Sequence, residues 1–247
     1  MEPVRSTRNP RVADAARLHR VRERRRRGLT LVEGPILVGE AMAAGIELVT
    51  VFSTEQPTGV GDGEWIVVTP QVLAHLADTV TPQGPVAVIR IPPIRRVTRD
   101  HLVLEVGDPG NAGTLIRTAA AFGMDVVVQT GAVDPWSPKV LRAASGAHFR
   151  TVVGTSPEDS ATIATVVDGG VGPDELSGVL DPRRIWAILV GSEPHGLAPD
   201  DVQRADVRVS IPMPGSVESL NAAVAGGIVA YELMRWRRRV GAPVASR

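Results

Sequence analysis

Between residues 29 and 239 the chain alternates short apolar runs with stretches of helical periodicity, and this alternation most narrows the folds open to it. LTLVE, IELVTVFS, WIVVT, VAVIRI, HLVLEV, DVVVQT, FRTVV, IWAILV and VRVSIP each have the length and the aliphatic content of one buried strand. Between them lie helical segments such as PILVGEAMAAG, closed by Gly45, then PQVLAHLAD and PKVLRAASG. Alternation of this kind implies parallel sheets with helices on both faces, so the expected fold class is α/β. Pro92-Pro93 breaks the series and IPPIRRVTRD reads as a linker, which divides the chain into expected domains at residues 1–95 and 96–247. In the second domain we expect a helix between FRTVV and IWAILV. We also expect a mobile glycine-rich loop in VDGGVGPDELSGVLDP and a long last helix from about Ser219.

The 247 residues suffice for two modest cores, and no apolar run approaches the roughly 18 residues that a membrane helix needs. With no Cys there is no disulfide, thiol nucleophile or thiolate metal site, and the five His are scattered without ligand spacing, so no metal is expected. Net charge is zero, but residues 1–30 hold ten Arg against Glu2, Asp14 and Glu23. Such a start is rich in arginine like a transit peptide, yet it lacks a hydrophobic signal core and runs straight into domain-like sequence; a cytoplasmic location is expected.

Asn9-Pro10 reads as an N-cap and first helical residue, opening one helix through RVADAARLHRVRERRRR with Ala15, Leu18 and Val21 as its apolar stripe. The rest of that helix is mostly arginine. It is either a solvated face or a phosphate-contacting one, and four consecutive like charges, Arg24 to Arg27, repel unless neutralised, which favours contact. The candidate RNA-binding residues are Arg8, Arg20, Arg24, Arg25, Arg26 and Arg27. Only eight residues are aromatic, so binding would use phosphates and shape rather than base stacking.

Ligands of open α/β sheets bind beyond the carboxyl ends of strands, and three loops there are unusual. In VGDPGNAGTLIRTAAAFG, glycines permit close backbone approach and Asn111 stands at a helix start, either as an N-cap or as a site residue. It is not G-x-G-x-x-G, and no acid ends the next strand, which disfavours a dinucleotide site. ILVGSEPHGL exposes Glu193 and His195 between glycines. In VSIPMPGSVESLNAAVAGGIVAYEL, Ser219 and Asn221 either cap the last helix or belong to a site. Gly226-Gly227 implies close packing, in a dimer or against a neighbouring loop.

Together these loops resemble the SpoU branch of the SPOUT methyltransferases. The N-x-G-x-x-x-R motif appears as Asn111, Gly113 and Arg117, the G-x-E-x-x-G motif as Gly191, Glu193 and Gly196, and the I-P-M and S-L-N motif as Ile211 to Met213 and Ser219 to Asn221. Asp108 and Ala112 depart from the common pattern beside the motif positions rather than on them. LVEGPILVGEAMAAGIELVTVF and LADTVTPQGPVAVI look like the ribosomal-protein-like RNA-binding domain that precedes the catalytic domain in ribosomal-RNA members.

The resemblance implies a deep trefoil knot, a homodimer in which both chains build each active site, and S-adenosylmethionine as cofactor. It places Gly191, Ile211, Leu220, Thr130, Gly131 and Met213 at the cofactor. It places Asn111, Arg117, Glu193, Ser219 and Asn221 around a ribose whose 2′-hydroxyl, in 23S ribosomal RNA, receives the methyl group. Arg117 is the family's usual proton acceptor, but a guanidinium, too strongly basic to be a neutral acceptor, fits better as a phosphate clamp and alkoxide stabiliser. A transfer-RNA methyltransferase and a non-catalytic ribosome-assembly factor are the alternatives.

Overall fold

The computed structural model describes residues 2–55, 63–79, 81–82, 84–192 and 196–241. Two compact units emerge, one formed by Met1–Pro93 with Trp136–Arg150, the other by Ile94–Pro135 with Thr151–Arg247.

The first unit opens with α1 (Pro10–Ala16), a 3-10 turn (Arg17–His19) and α2 (Val21–Arg27). The Asn9 side chain accepts from the amide of Arg11 and Pro10 leads α1, as their types require. The expected single helix is instead broken at Arg20, which takes an extended conformation. The break leaves the carbonyls of Leu18 and His19 without helical partners, and Arg24 reaches back to donate to both, at 2.7 and 2.9 Å. Then follow β1 (Leu29–Glu33), α3 (Pro35–Ala43), β2 (Leu48–Ser53), β3 (Glu64–Val67), α4 (Pro70–Leu76) and β4 (Val86–Arg90). The sheet order is β1-β4-β2-β3, antiparallel around β4 and parallel between β2 and β3, so this sheet is mixed rather than all parallel. Leu18, Leu31, Phe52, Val72 and Leu76 fill its core beside α1 and α4.

The second unit runs β5 (His101–Leu104), α5 (Pro109–Phe122), β6 (Asp125–Val128), an excursion containing α6 (Pro138–Ala143), then β7 (Val153–Gly154), β8 (Ala161–Val166), β9 (Trp186–Val190), α7 (Pro199–Arg204), β10 (Val207–Ser210) and α8 (Ala222–Arg239). All its strand pairs are parallel, in the order β10-β8-β9-β5-β6-β7.

Four further features depart from the sequence reading. Residues 136–150, helix α6 included, group with the first unit, where the Thr30 hydroxyl donates to the Trp136 carbonyl at 2.6 Å and Arg150 pairs with Glu40. Of FRTVV only Val153 is strand, continuing into Gly154 as β7, since Phe149 ends a 3-10 turn. The segment expected to be helical contains β8, whose Thr162, Ile163, Thr165 and Val166 are β-branched and sit between β9 and β10. The glycine-rich stretch holds a 3-10 turn (Pro173–Gly178) with Leu176 buried, and Val171 is hydrogen-bonded to β10 through Arg208 and Ser210.

A buried ion pair fixes α8. The Arg237 guanidinium donates to both oxygens of Asp100 at 2.7 and 2.8 Å and to the carbonyl of Pro182 at 2.7 Å. Gly226 presses on the rest of the unit, because a Cβ there would lie 2.7 Å from Leu115 and 2.9 Å from Val190. The glycine pair thus reflects packing within the chain at Gly226.

His101 is fully buried at the start of β5; its Nδ1–H donates to the Arg99 carbonyl, so Nε2 accepts from the Ser156 hydroxyl. Burial lowers its pKa below the ordinary 6.5, against the Arg99 carbonyl and the charges of Asp100 and Asp125, which act to raise it. The unfolded chain therefore takes up this proton first, so the contribution is complete above pH 6.5 and is lost as pH falls through the folded pKa. Thermal denaturation across this range should show the midpoint falling on acidification, and a smaller fall in His101→Gln; equal slopes in both proteins would refute the assignment.

Candidate active site

The carboxyl ends of β8, β9 and β10 open into a cavity of about 130 Å³. It is lined by Gly191, Ile211, Met213, Leu220 and Ser219 among the expected residues, and by Thr165, Val166, Val167, Val209 and Val229 among those the sequence reading missed. The missed set follows largely from the missed strand: with β8 read as helix, Thr165 to Val167 had no place at this sheet edge. ATIATV does not alternate strictly, so its four β-branched residues, Thr162, Ile163, Thr165 and Val166, were the available signal.

Gly191 is where backbone packs on backbone. A Cβ there would collide with the main chain of Gly196 and Leu197, and the Ser192 and Gly196 amides exchange hydrogen bonds with each other's carbonyls at 3.2 and 2.7 Å. Glycine is therefore required at this position. Beside this loop Glu105 follows β5, its amide donating to the Val190 carbonyl at 3.0 Å. Burial pushes the Glu105 carboxyl up, and the charge of Asp201 adds to the effect.

The first motif is set by a cap. Asp108, rather than Asn111, is the N-cap of α5, and its side chain accepts from the Asn111 amide at 2.8 Å. Asn111 then stands in the first turn, where its side-chain oxygen accepts from the Asn221 Nδ2 at 2.8 Å. The Asn221 oxygen accepts from the amides of Ala223 and Val224 at 3.0 and 3.2 Å, making Asn221 the N-cap of α8. Capping and site membership are thus both true of Asn221, and the two motifs meet through it. Ser219 lines the cavity three residues before α8 begins, so the helix starts later than expected.

Other expected residues lie elsewhere. Arg117 is exposed on α5, about 120° round the helix from Asn111. Thr130 and Gly131 follow β6, exposed, with Gly131 at φ 94°, and do not line the cavity. Glu193 and His195 lie outside the described residues. Among the described residues no group of His, Asp and Glu could hold a metal, and no helix is long and apolar enough to cross a membrane. In the first unit Arg24 is buried and its donors serve carbonyls, which removes it from the RNA-facing set. Arg27 is held by Asp14, at 2.7 Å, and Arg26 by Glu23, also at 2.7 Å.

Comparison with known proteins gives the class. Residues 101–231 match the SpoU rRNA Methylase family, and residues 9–87 match the MRM3-like substrate binding domain. The chain is 32% identical over 250 residues to the 23S rRNA (guanosine(2553)-2'-O)-methyltransferase RlmP of Bacillus subtilis (strain 168), covering 94% of this chain and 99% of that protein. Among solved structures it is similar to the SpoU methyltransferase AviRb of Streptomyces viridochromogenes in complex with AdoMet (TM-score 0.78, 26% identity, 96% of this chain and 100% of that one). It is also similar to an AdoMet-bound rRNA methyltransferase from Sinorhizobium meliloti (TM-score 0.80, 25% identity, 97% and 98% covered). The chain belongs to the SpoU rRNA methylase family.

The lining suits S-adenosylmethionine: an apolar wall of Val166, Val209, Ile211 and Leu220 meets the main chain at Gly191 and Ser192, where the absent side chain of Gly191 leaves polar backbone close by.

Two substitutions separate the parts of this site. Asn221→Asp retains the oxygen that caps α8 but loses the donor to Asn111, so methyl transfer should fall at least about tenfold with little change in melting temperature. Full activity would show that the amide donor is idle. Gly191→Ala should weaken cofactor binding by about tenfold or more in calorimetry, because the Gly196–Leu197 main chain must move aside; unchanged affinity would mean the loop yields freely.

Proposed function

We propose that this chain is an S-adenosylmethionine-dependent RNA ribose 2′-O-methyltransferase acting on large-subunit ribosomal RNA. The observation that carries the reading is the contact of Asn111 with Asn221 beside a cavity built by Gly191, Ile211, Met213 and Leu220, which unites the three motifs in one place. The match of residues 9–87 to a substrate-binding domain and the name of RlmP support 23S ribosomal RNA as substrate.

When bound, the cofactor would supply a methyl group on a sulfonium sulfur, which departs as a neutral thioether. The chain must then orient the ribose and accommodate a proton from its hydroxyl. Gly191, Ile211, Met213 and Leu220 hold the cofactor, with Thr130 and Gly131 meeting it from the loop after β6. Ser219 and Asn221 position the nucleotide, and Glu193 steadies the amides of Asn111 or Asn221. The Asn111 oxygen is engaged by Asn221, which leaves its amide nitrogen as a donor to the substrate. Arg117 holds phosphate and stabilises the developing alkoxide, with the proton passing to phosphate or water, because a guanidinium is too strongly basic to stand as a neutral proton acceptor.

Arg117 reaches an active site by serving a partner's. A homodimer packed through the knotted catalytic domain accounts for its outward position and for the exposure of Val224 and Tyr231 on α8. In this reading residues 1–95 bind RNA and residues 96–247 form the knotted methyltransferase, which works in the cytoplasm without a metal. Arg8, Arg20, Arg25 and Arg26 serve RNA binding, while Arg27 is committed to Asp14.

Incubation with methyl-labelled S-adenosylmethionine and, separately, ribosomal RNA, transfer RNA and intact subunits tests the reaction. We expect alkali-resistant label in large-subunit RNA; cofactor binding without transfer to any RNA would overturn the reading. Arg117→Ala and Asn221→Ala should each be inactive alone, and after refolding together they should recover about a quarter of wild-type activity if a two-fold dimer shares its sites. No recovery would place Arg117 outside the partner's site.

A further inference from the structure

Four consecutive arginines on α2 look interchangeable in sequence but not in the fold. At 3.6 residues per turn, residues 21, 22, 25 and 26 fall within an arc of about 140°, and residues 23, 24 and 27 fall on the remainder. The second set is turned inward: Arg24 is 4% exposed and serves the Leu18 and His19 carbonyls, and Arg27 holds Asp14 with two donors at 3.1 and 2.7 Å. The outward arc consists of Val21 and three arginines, all exposed, and Arg20 stands exposed at its entrance.

The acids of this segment are already taken. Asp14 is held by Arg27, Glu23 by Arg26 and Glu2 lies 3.8 Å from Arg5. Among the described residues Arg20, Arg22 and Arg25 have no ion pair, although Arg22 and Arg25 share one face of a seven-residue helix and Arg20 is its extended N-cap. Such a face is disfavoured until a polyanion neutralises it.

We infer that the outward face of α2, formed by Arg22 and Arg25 with Arg20 at its N-cap, is the phosphate-binding face of the first unit, and that its ligand is the sugar–phosphate backbone of RNA. The inference rests on the reading of the chain as an RNA methyltransferase and adds Arg22, which the sequence reading omitted. Arg24 and Arg27 are staples that hold α2 against α1 and the 3-10 turn. The face has no aromatic residue, so it reads charge and spacing rather than bases.

The test compares wild type with a triple variant, Arg20→Gln, Arg22→Gln and Arg25→Gln, against a 23S ribosomal RNA transcript at several salt concentrations. The triple variant should raise KM at least about tenfold, flatten the slope of log affinity against log salt by about two to three, and leave kcat and cofactor affinity unchanged. Arg90→Gln, which removes one charge from the Glu47 pair, should leave the slope as it is. Melting temperature should hold in the triple variant and drop in Arg24→Gln. An unchanged slope and KM in the triple variant would overturn the assignment, as would tighter binding of wild type to polyglutamate than to RNA at equal salt. A wild type that methylates no RNA, yet whose RNA binding loses salt dependence in the triple variant, would sustain this face while the methyl-transfer reading fails.

Discussion

The bidentate pair between Arg237 and Asp100 is the fixed point of the second unit. Both side chains are nearly buried, at 10% and 12% exposure, and Asp100 also accepts from the Trp186 amide at 2.9 Å. Three chain segments therefore meet at one carboxylate: the entrance to β5, the start of β9 and the last turns of α8. A buried charge pair of this kind repays its desolvation only when its hydrogen bonds are made, and here the guanidinium also donates to the carbonyls of Pro182 and Arg184. With its carboxyl end anchored, α8 lies along β9 and α5 where Gly226 admits Leu115 and Val190, and its amino end arrives at the cavity. The site is thus placed by a helix held far from it.

What was legible in the sequence were the features that glycine, proline and caps impose. Asn9-Pro10 at the start of α1, Gly45 after α3 and Asn221 before α8 each answer a local backbone need, so type and position could be read together, whereas the cap of α5 falls on Asp108 rather than on Asn111. What was not legible depended on tertiary partners. ATIATV forms β8 because β9 and β10 receive it on either side, and nothing within six residues states that. The break at Arg20 depends on Arg24 satisfying carbonyls five and six residues back, a contact that periodicity does not encode. Trp136–Arg150 leaves its own sheet between β6 and β7 for Thr30, Glu40, Glu33 and Asp78 in the first unit, where acids and arginines from distant positions combine.

Arginine-rich composition likewise hides a division that only burial reveals. A guanidinium has five donors in a planar fork, so it can staple backbone carbonyls as well as bind phosphate. Arg24 and Arg237 spend their donors inside the fold, whereas Arg22 and Arg25 keep theirs in solvent. Counting charges in the first thirty residues overstates what is available to a ligand, since acids and carbonyls of the same segment consume part of it.

Asn221 shows why one residue type recurs where two needs coincide. Aspartate or serine could cap α8, because each offers an oxygen to the amides of Ala223 and Val224. Neither oxygen brings with it an N–H₂ group aimed at the Asn111 oxygen. Because the cap fixes which end of the amide faces the helix, the donor end is oriented before any substrate arrives, and so in turn is the side chain of Asn111. The orientation is preorganised by helix formation itself, so the stability of α8 and the geometry of the site are set by the same two hydrogen bonds.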